Sequence, residues 1–309
     1  MRLLCQILIS AFSAYLIGFW IMLYLNPECD FWLELEIRRN QALQEIRKNK
    51  PDEPVVLFAG GSSCAFSIDP LIITQNTGMP AVNLGGPAHA GASYLIPTAI
   101  ESAKPGDLVV LALETHFLTT STQHLPTSLG LALNLRQGQI SRCLPHLHRL
   151  RPGAIFFATW LAKSATGNLT YRYDISHYRQ GGRLEHPALL SSTTRVAHPK
   201  AKPLSLEGIK LIRQSLRKAE MKNVTLVYSM PWQYIEEHDH ADNRFLNEQL
   251  LIEISHHLHC LEDQSFGLSS TPEYFSDTIN HLSQEGSKMR TVKVARALYG
   301  YLKQHYSQH

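Results

Sequence analysis

The chain has 309 residues, 44% of them apolar and 18% charged, with 29 Lys/Arg against 26 Asp/Glu and 16 His. Those proportions exclude a disordered chain, a collagen-like fibre and a disulfide-dense mini-protein. A formal charge of +3 excludes polyanion binding by composition alone, and a mean hydropathy of −0.14 conceals one concentrated apolar segment.

That segment runs from Leu3 to Leu25, interrupted only by Gln6, Ser10, Ser13 and Gly18. As a helix it reaches roughly 30 Å, the thickness of a bilayer's hydrocarbon core. Trp20 and Tyr24, near its end, suit the interfacial aromatic belt. A cleaved signal peptide and a buried core helix are the alternatives. A signal peptide has a shorter apolar core ending in small residues, and this one is longer and ends WIMLYLNPE. We therefore expect residues 1–26 to be a retained transmembrane anchor. Arg2 precedes the span, whereas Glu28, Asp30, Glu34 and Glu36 follow it with no Lys or Arg before Arg38. The positive-inside rule then places the C-terminal domain outside the cytoplasmic membrane, in the periplasm or extracellular space. Once exported, Cys29, Cys64, Cys143 and Cys260 would be in a disulfide-permissive compartment. Spacing does not choose a pairing, and four buried thiols fit equally well.

Residues 31–49 show helical spacing with mixed charge and read as a stalk within a 27–53 linker, ended by Pro51 and Pro54. Short apolar runs follow at Val55–Ala59, Ala81–Leu84, Leu108–Leu113 and Val224–Ser229. Between and after them lie helical patterns, with Ile209, Ile212, Leu216 and Ala219 on one face and Met289, Val292, Ala295, Leu298 and Leu302 on another. Non-alternating apolar strands separated by helices predict an α/β fold with a parallel sheet covered on both faces, over residues 54–309.

Residues 118–203 break that rhythm and are too long for an ordinary connection. They hold eleven Lys/Arg against Asp174 and Glu185, a charge of +9 that leaves −6 for the rest of the chain. With the apolar run Ala154–Ala162 and tyrosines 171, 173 and 178, they read as an inserted subdomain or lid. Its charge is either a solvated face or a surface for anions.

Three segments carry chemistry. The first strand runs into Gly60-Gly61-Ser62, a tight turn beyond the carboxyl edge of the sheet, where ligands of parallel α/β folds bind. Ser62 is placed there as a nucleophile, although a phosphate-binding or capping turn would look the same. The second strand ends in a glycine-rich turn, Asn83 to Gly91, whose backbone N–H groups would join that of Ser62 in an oxyanion hole. Before the last helix, one loop carries both Asp277 and His281. A neutral His281 would take the Ser62 proton while Asp277 fixes its tautomer. The runs around His238–Asp242 and His256–Cys260 lack a spacing that sets metal ligands on one face and read as polar turns. No phosphate-binding or dinucleotide fingerprint and no zinc ribbon is found, so no cofactor or metal is expected, nor is nucleic acid as a partner.

In this order the three segments resemble the SGNH (GDSL-like) hydrolase superfamily, closest to membrane-anchored members linked to O-acylation of bacterial cell-surface polymers. Gly60-Gly61-Ser62 stands for the family's Gly-Asp-Ser, Gly85 for its oxyanion glycine, and Asp277 and His281 for its late Asp and His. The resemblance spans most of residues 54–305 apart from the insertion. It implies a three-layer α/β/α sandwich, a Ser62–His281–Asp277 triad, an oxyanion hole from Ser62 and Gly85, and ester chemistry on a glycan or lipid. Two departures stand out. Asp277 precedes His281 by four residues where many members have three, and the family's oxyanion asparagine after the third strand is missing, with Glu114 or a neighbour in its slot. The implied function is a membrane-anchored O-acyltransferase or esterase. The alternative is a non-catalytic SGNH-shaped partner of a membrane acyltransferase.

Overall fold

The computed structural model describes residues 2–122, 124–149, 153–186, 202–261 and 263–305. Of the insertion's basic residues, Arg151, Arg195 and Lys200 lie outside these.

The chain opens with helix α1 (Arg2–Tyr24). Among the described residues one helical run, at this N-terminus, is long and apolar enough to cross a membrane. Helix α2 (Pro27–Asn49) follows at once. Asn26 caps it by accepting the Glu28 N–H at 2.9 Å, and Pro27 opens its first turn. Glu28 and Asp30 sit at its positive end and Arg47 and Lys48 at its negative end. This helix is not the free stalk expected from its charge pattern. Phe31, Trp32, Leu35 and Leu43 are buried against the domain, and so is Arg39. The Arg39 guanidinium donates to the carbonyls of Gly85 and Gly182, tying α2 to two glycine turns. Burial pulls its pKa down to about 10, which leaves it charged at neutral pH.

Strands β1 (Val56–Ala59), β2 (Ala81–Asn83), β3 (Leu108–Leu111) and β4 (Thr225–Tyr228) form one parallel sheet in the order β2-β1-β3-β4. All four expected strands form, each slightly shorter than its apolar run. Their side chains divide between two cores. Leu57, Val109, Leu111 and Leu226 meet helices α5 (Ala92–Ser102), α10 (Leu206–Met221) and α11 (His240–Ser255). Val56, Phe58, Val110 and Val227 meet helices α4 (Pro70–Thr77) and α12 (Gln284–His305). Beyond β4, Tyr228 makes a single parallel bridge to Cys260, and β5 (Gln233–Tyr234) pairs with β6 (Leu268–Ser269).

The buried stripe of α12 is rotated from the expected one. Met289 is exposed, and Arg290, Thr291 and Val294 are buried with Ala295, Leu298 and Leu302. The cause is an ion pair that hydropathy does not register. Arg290 donates to Asp263 at 3.0 Å, to the Ser229 hydroxyl at 2.6 Å and to the Met230 carbonyl.

The described residues of the 118–203 segment pack on α1 and on the domain. They contribute α7 (Ser128–Arg136), α8 (Ile140–Cys143) and α9 (Gly153–Ala165), after the short α6 (His116–Thr119). Helices α7 and α9 lie against α1, and residues 171–185 run along α2 and α3 (Ser62–Ser67). Four of its arginines are engaged by carboxylates: Arg136 by Asp30, Arg172 by Asp277, Arg179 by Glu185 and Arg183 by Asp69 and Glu185. All five cysteines are free thiols, with Cys29, Cys64 and Cys143 buried.

Candidate active site

Ser62 opens α3 directly after β1, so its side chain stands at the carboxyl edge of the sheet. The turn leaves no room for a side chain at Gly60, and room for one at Gly61 only if the Glu114 carboxyl moves. A Cβ on Gly60 would lie 2.1 Å from the Ala112 carbonyl oxygen, and one on Gly61 would lie 2.3 Å from a Glu114 carboxyl oxygen. From the other end of the chain, the loop after Phe275 is closed by a Phe275–Leu282 antiparallel bridge, with Ser276 N–H donating to the His281 carbonyl at 2.8 Å. Inside it the Thr278 hydroxyl accepts the His281 N–H at 3.1 Å. This knot turns both side chains of the four-residue Asp–His interval toward Ser62.

The three candidate residues form one line of hydrogen bonds. Ser62 Oγ is 2.9 Å from His281 Nε2, and His281 Nδ1 is 2.9 Å from Asp277 Oδ1. An ionised Asp277 fixes the proton on Nδ1, which leaves Nε2 to accept from the Ser62 hydroxyl. The imidazole lies flat on Phe66, their centroids 4.3 Å apart, and is almost fully buried.

Two residues of this cluster come from the insertion and were not singled out as site residues from sequence. Tyr173 donates its hydroxyl to Asp277 Oδ2 at 2.7 Å, with its oxygen also 3.0 Å from His281 Nδ1. Arg172 reaches the same carboxyl oxygen at 3.2 Å. Burial alone would raise the Asp277 pKa. Hydrogen bonds from His281 and Tyr173 and the nearby charges of His281 and Arg172 outweigh it and hold the carboxyl well below the usual range. Burial, reinforced by the Asp277 charge, pushes the Tyr173 phenol up, so it remains a neutral donor. The Tyr-x-Tyr spacing around Arg172 was the available signal, but nothing local in it points to a carboxylate 104 residues away. Removing this hydroxyl in Tyr173→Phe takes away a hydrogen bond to a charged group, worth about 1.5–3 kcal/mol. The expected result is a roughly tenfold or greater fall in Ser62 reactivity with the fold retained. A reaction rate equal to that of the parent chain would rule out the positioning role.

The oxyanion side differs from expectation. The Gly85 N–H, expected as a donor, is taken by the Asn83 side chain at 2.9 Å. Asn83 is itself held by its amide donating to the carbonyls of Cys64 and Ile68, at 2.8 and 2.9 Å. Gly85 therefore shapes the turn, and its missing side chain lets the backbone of Ala65 approach. Glu114 is buried, and its carboxyl accepts the N–H groups of Gly61 at 3.2 Å and Ser63 at 3.1 Å. It lies against the nucleophile turn and clamps the amides on either side of Ser62. The Ser62 N–H lies in the first turn of α3, where the helix itself supplies no acceptor.

Among the described residues no group of three or more His, Cys, Asp and Glu is arranged to hold a metal ion.

No family model matches the chain, and no curated protein matches it. A solved structure described as "a putative platelet activating factor from Streptococcus pneumonia" is aligned over 88% of this chain and 95% of its own, at 14% identity and a TM-score of 0.36.

Proposed function

We propose that the protein is a membrane-anchored serine O-acyltransferase or esterase of SGNH type, with a three-layer α/β/α domain facing the periplasm or exterior. The observation carrying this reading is the unbroken Ser62–His281–Asp277 contact, assembled from opposite ends of the chain at 2.9 Å per step.

In the proposed reaction Ser62 Oγ attacks an acyl carbonyl as its proton passes to His281 Nε2. The imidazolium so formed is stabilised by Asp277, which Tyr173 and Arg172 keep ionised. The Ser62 N–H meets the developing oxyanion. His281 then returns its proton to the leaving oxygen or sulfur, and acyl-Ser62 remains. A sugar or lipid hydroxyl, deprotonated by His281, takes the acyl group in a transferase, whereas water takes it in an esterase. The anchor would hold the site beside a membrane-borne donor and a cell-surface polysaccharide or lipid acceptor.

The test is covalent labelling by a fluorophosphonate, which reports nucleophile activation without the natural substrate. The parent chain is expected to label and Ser62→Ala is not. An unlabelled parent chain, or labelling that survives Ser62→Ala, would remove the triad assignment.

The second reading is a non-catalytic SGNH-shaped partner of a membrane acyltransferase. The engaged Gly85 amide and the Glu114 carboxylate beside Ser62 favour it, because they leave the oxyanion one clear donor and a nearby negative charge. Absence of labelling together with retained polymer binding would select it.

A further inference from the structure

Helix α9 is thirteen residues of sequence GAIFFATWLAKSA with a single charge, Lys163, in its last turn. That length, about 20 Å, is too short to cross a bilayer and matches a buried core helix or an interfacial or re-entrant segment. A core helix would be covered by the domain. Here Ala158, Thr159, Leu161 and Ala162 are exposed and Trp160 is only half-buried.

What α9 packs on is α1. Coverage of α1 is confined to its C-terminal part, where Gly18, Ile21 and Met22 are buried, while residues 2–13 are exposed all round. Helix α9 ends level with the bend between α1 and α2. Trp160 and Lys163 line a cavity of about 220 Å³ together with Asn26, Pro27 and Glu28 of that bend. Its apolar length therefore runs back beside α1, with an aromatic ring and a lysine at the end nearest the domain. Those are the residue types that settle at a membrane interface.

We propose that α9 is a half-depth membrane helix, seated in the same leaflet as the C-terminal half of α1 with its exposed face against lipid. This rests on the reading of α1 as a membrane span. The partner is the bilayer itself, because α9 lies against α1 and its sequence carries no charge before Lys163. The chain leaves α9 at headgroup depth and reaches Tyr171, whose hydroxyl accepts the Trp32 indole N–H at 3.1 Å, and then Arg172 and Tyr173 on the catalytic carboxylate. Seven residues thus separate the interfacial Lys163 from Tyr171, and the site lies immediately above the membrane.

The experiment uses the full chain in phosphatidylcholine nanodiscs, with Cys5→Ser and Cys260→Ser removing the two thiols that are not buried. One new cysteine at a time, Leu161→Cys, Leu8→Cys or Met221→Cys, carries an environment-sensitive fluorophore, with and without doxyl-labelled lipid. Met221, on α10 and highly exposed, reports water. The Leu161→Cys probe is expected to emit to the blue of the Met221→Cys probe and to lose most of its emission to doxyl lipid, as the Leu8→Cys probe does. Quenching at Leu8→Cys alone would overturn the α9 assignment, leave the α1 span standing, and assign the face to water or a protein. No quenching at either would overturn both.

Discussion

Asp277→Asn is expected to slow fluorophosphonate labelling of Ser62, and any turnover of an activated acyl ester, by on the order of 10⁴-fold. An asparagine fills the same space, but it offers the imidazole an amide that can stabilise the wrong tautomer. It also removes the charge that stabilises imidazolium in the transition state. The effect is larger than that of Tyr173→Phe because Asp277 contacts His281 directly, whereas Tyr173 acts largely through Asp277. The same change has a signed pH dependence. The Asp277 pKa is depressed in the folded protein, so the stability it contributes is fully present above the ordinary carboxyl pKa and lost as pH falls through the folded value. The melting-temperature gap between the parent chain and Asp277→Asn should therefore be widest near neutrality and close in acid. A gap that widens on acidification, or labelling at the parent rate, would contradict the assignment.

Arg290→Ala is expected to destabilise the fold by about 3–5 kcal/mol, the usual cost of leaving one member of a buried ion pair alone. Arg290 is 1% exposed, and its Asp263 partner also accepts the Trp232 indole N–H at 3.0 Å. Burial lowers the Arg290 pKa. For Asp263 burial acts in the opposite sense to the Arg290 charge, and that charge with the Ser265 and Trp232 hydrogen bonds prevails, lowering its pKa. Without the guanidinium, Asp263 keeps its Trp232 and Ser265 hydrogen bonds but loses its ion-pair partner, and the Met230 carbonyl loses a donor. At about 2 °C or more per kcal/mol for a chain of this size, the melting midpoint should fall by roughly 6–15 °C. The double variant Arg290→Met/Asp263→Asn should recover part of the loss, because it removes both charges. A midpoint unchanged in Arg290→Ala would show that solvent reaches the pair.

These two cases mark where sequence was and was not enough. The sheet could be read because its strands are short unbroken apolar runs, and burial on both faces demands that pattern. The Ser62, Asp277 and His281 segments could be read because each lies next to a strand end or helix start with its own local signature. Arg290 was missed for the opposite reason. Hydropathy assigns an arginine to solvent, and only its ion pair with Asp263 reverses that. Arg172 and Tyr173 were missed because their partner is remote in the chain and the segment's +9 charge suggests a solvated face or an anion surface rather than internal carboxylates. Gly85 was misread because the same turn that would present an N–H outward also lets Asn83 fold back onto it. The stalk reading of α2 failed because its buried stripe, Phe31, Leu35 and Leu43 with Arg39, is narrow and interrupted by charge.

The contact between Gly61 and Glu114 constrains how this site can change. An aspartate at position 61 would drive its Cβ into the Glu114 carboxyl and add a second negative charge there. Position 61 and Glu114 are therefore coupled, and an aspartate at 61 fits only where the Glu114 carboxyl moves or is replaced. While Glu114 stays in place, a side chain at position 61 has to displace its carboxyl and with it the hydrogen bonds accepted from the Gly61 and Ser63 amides.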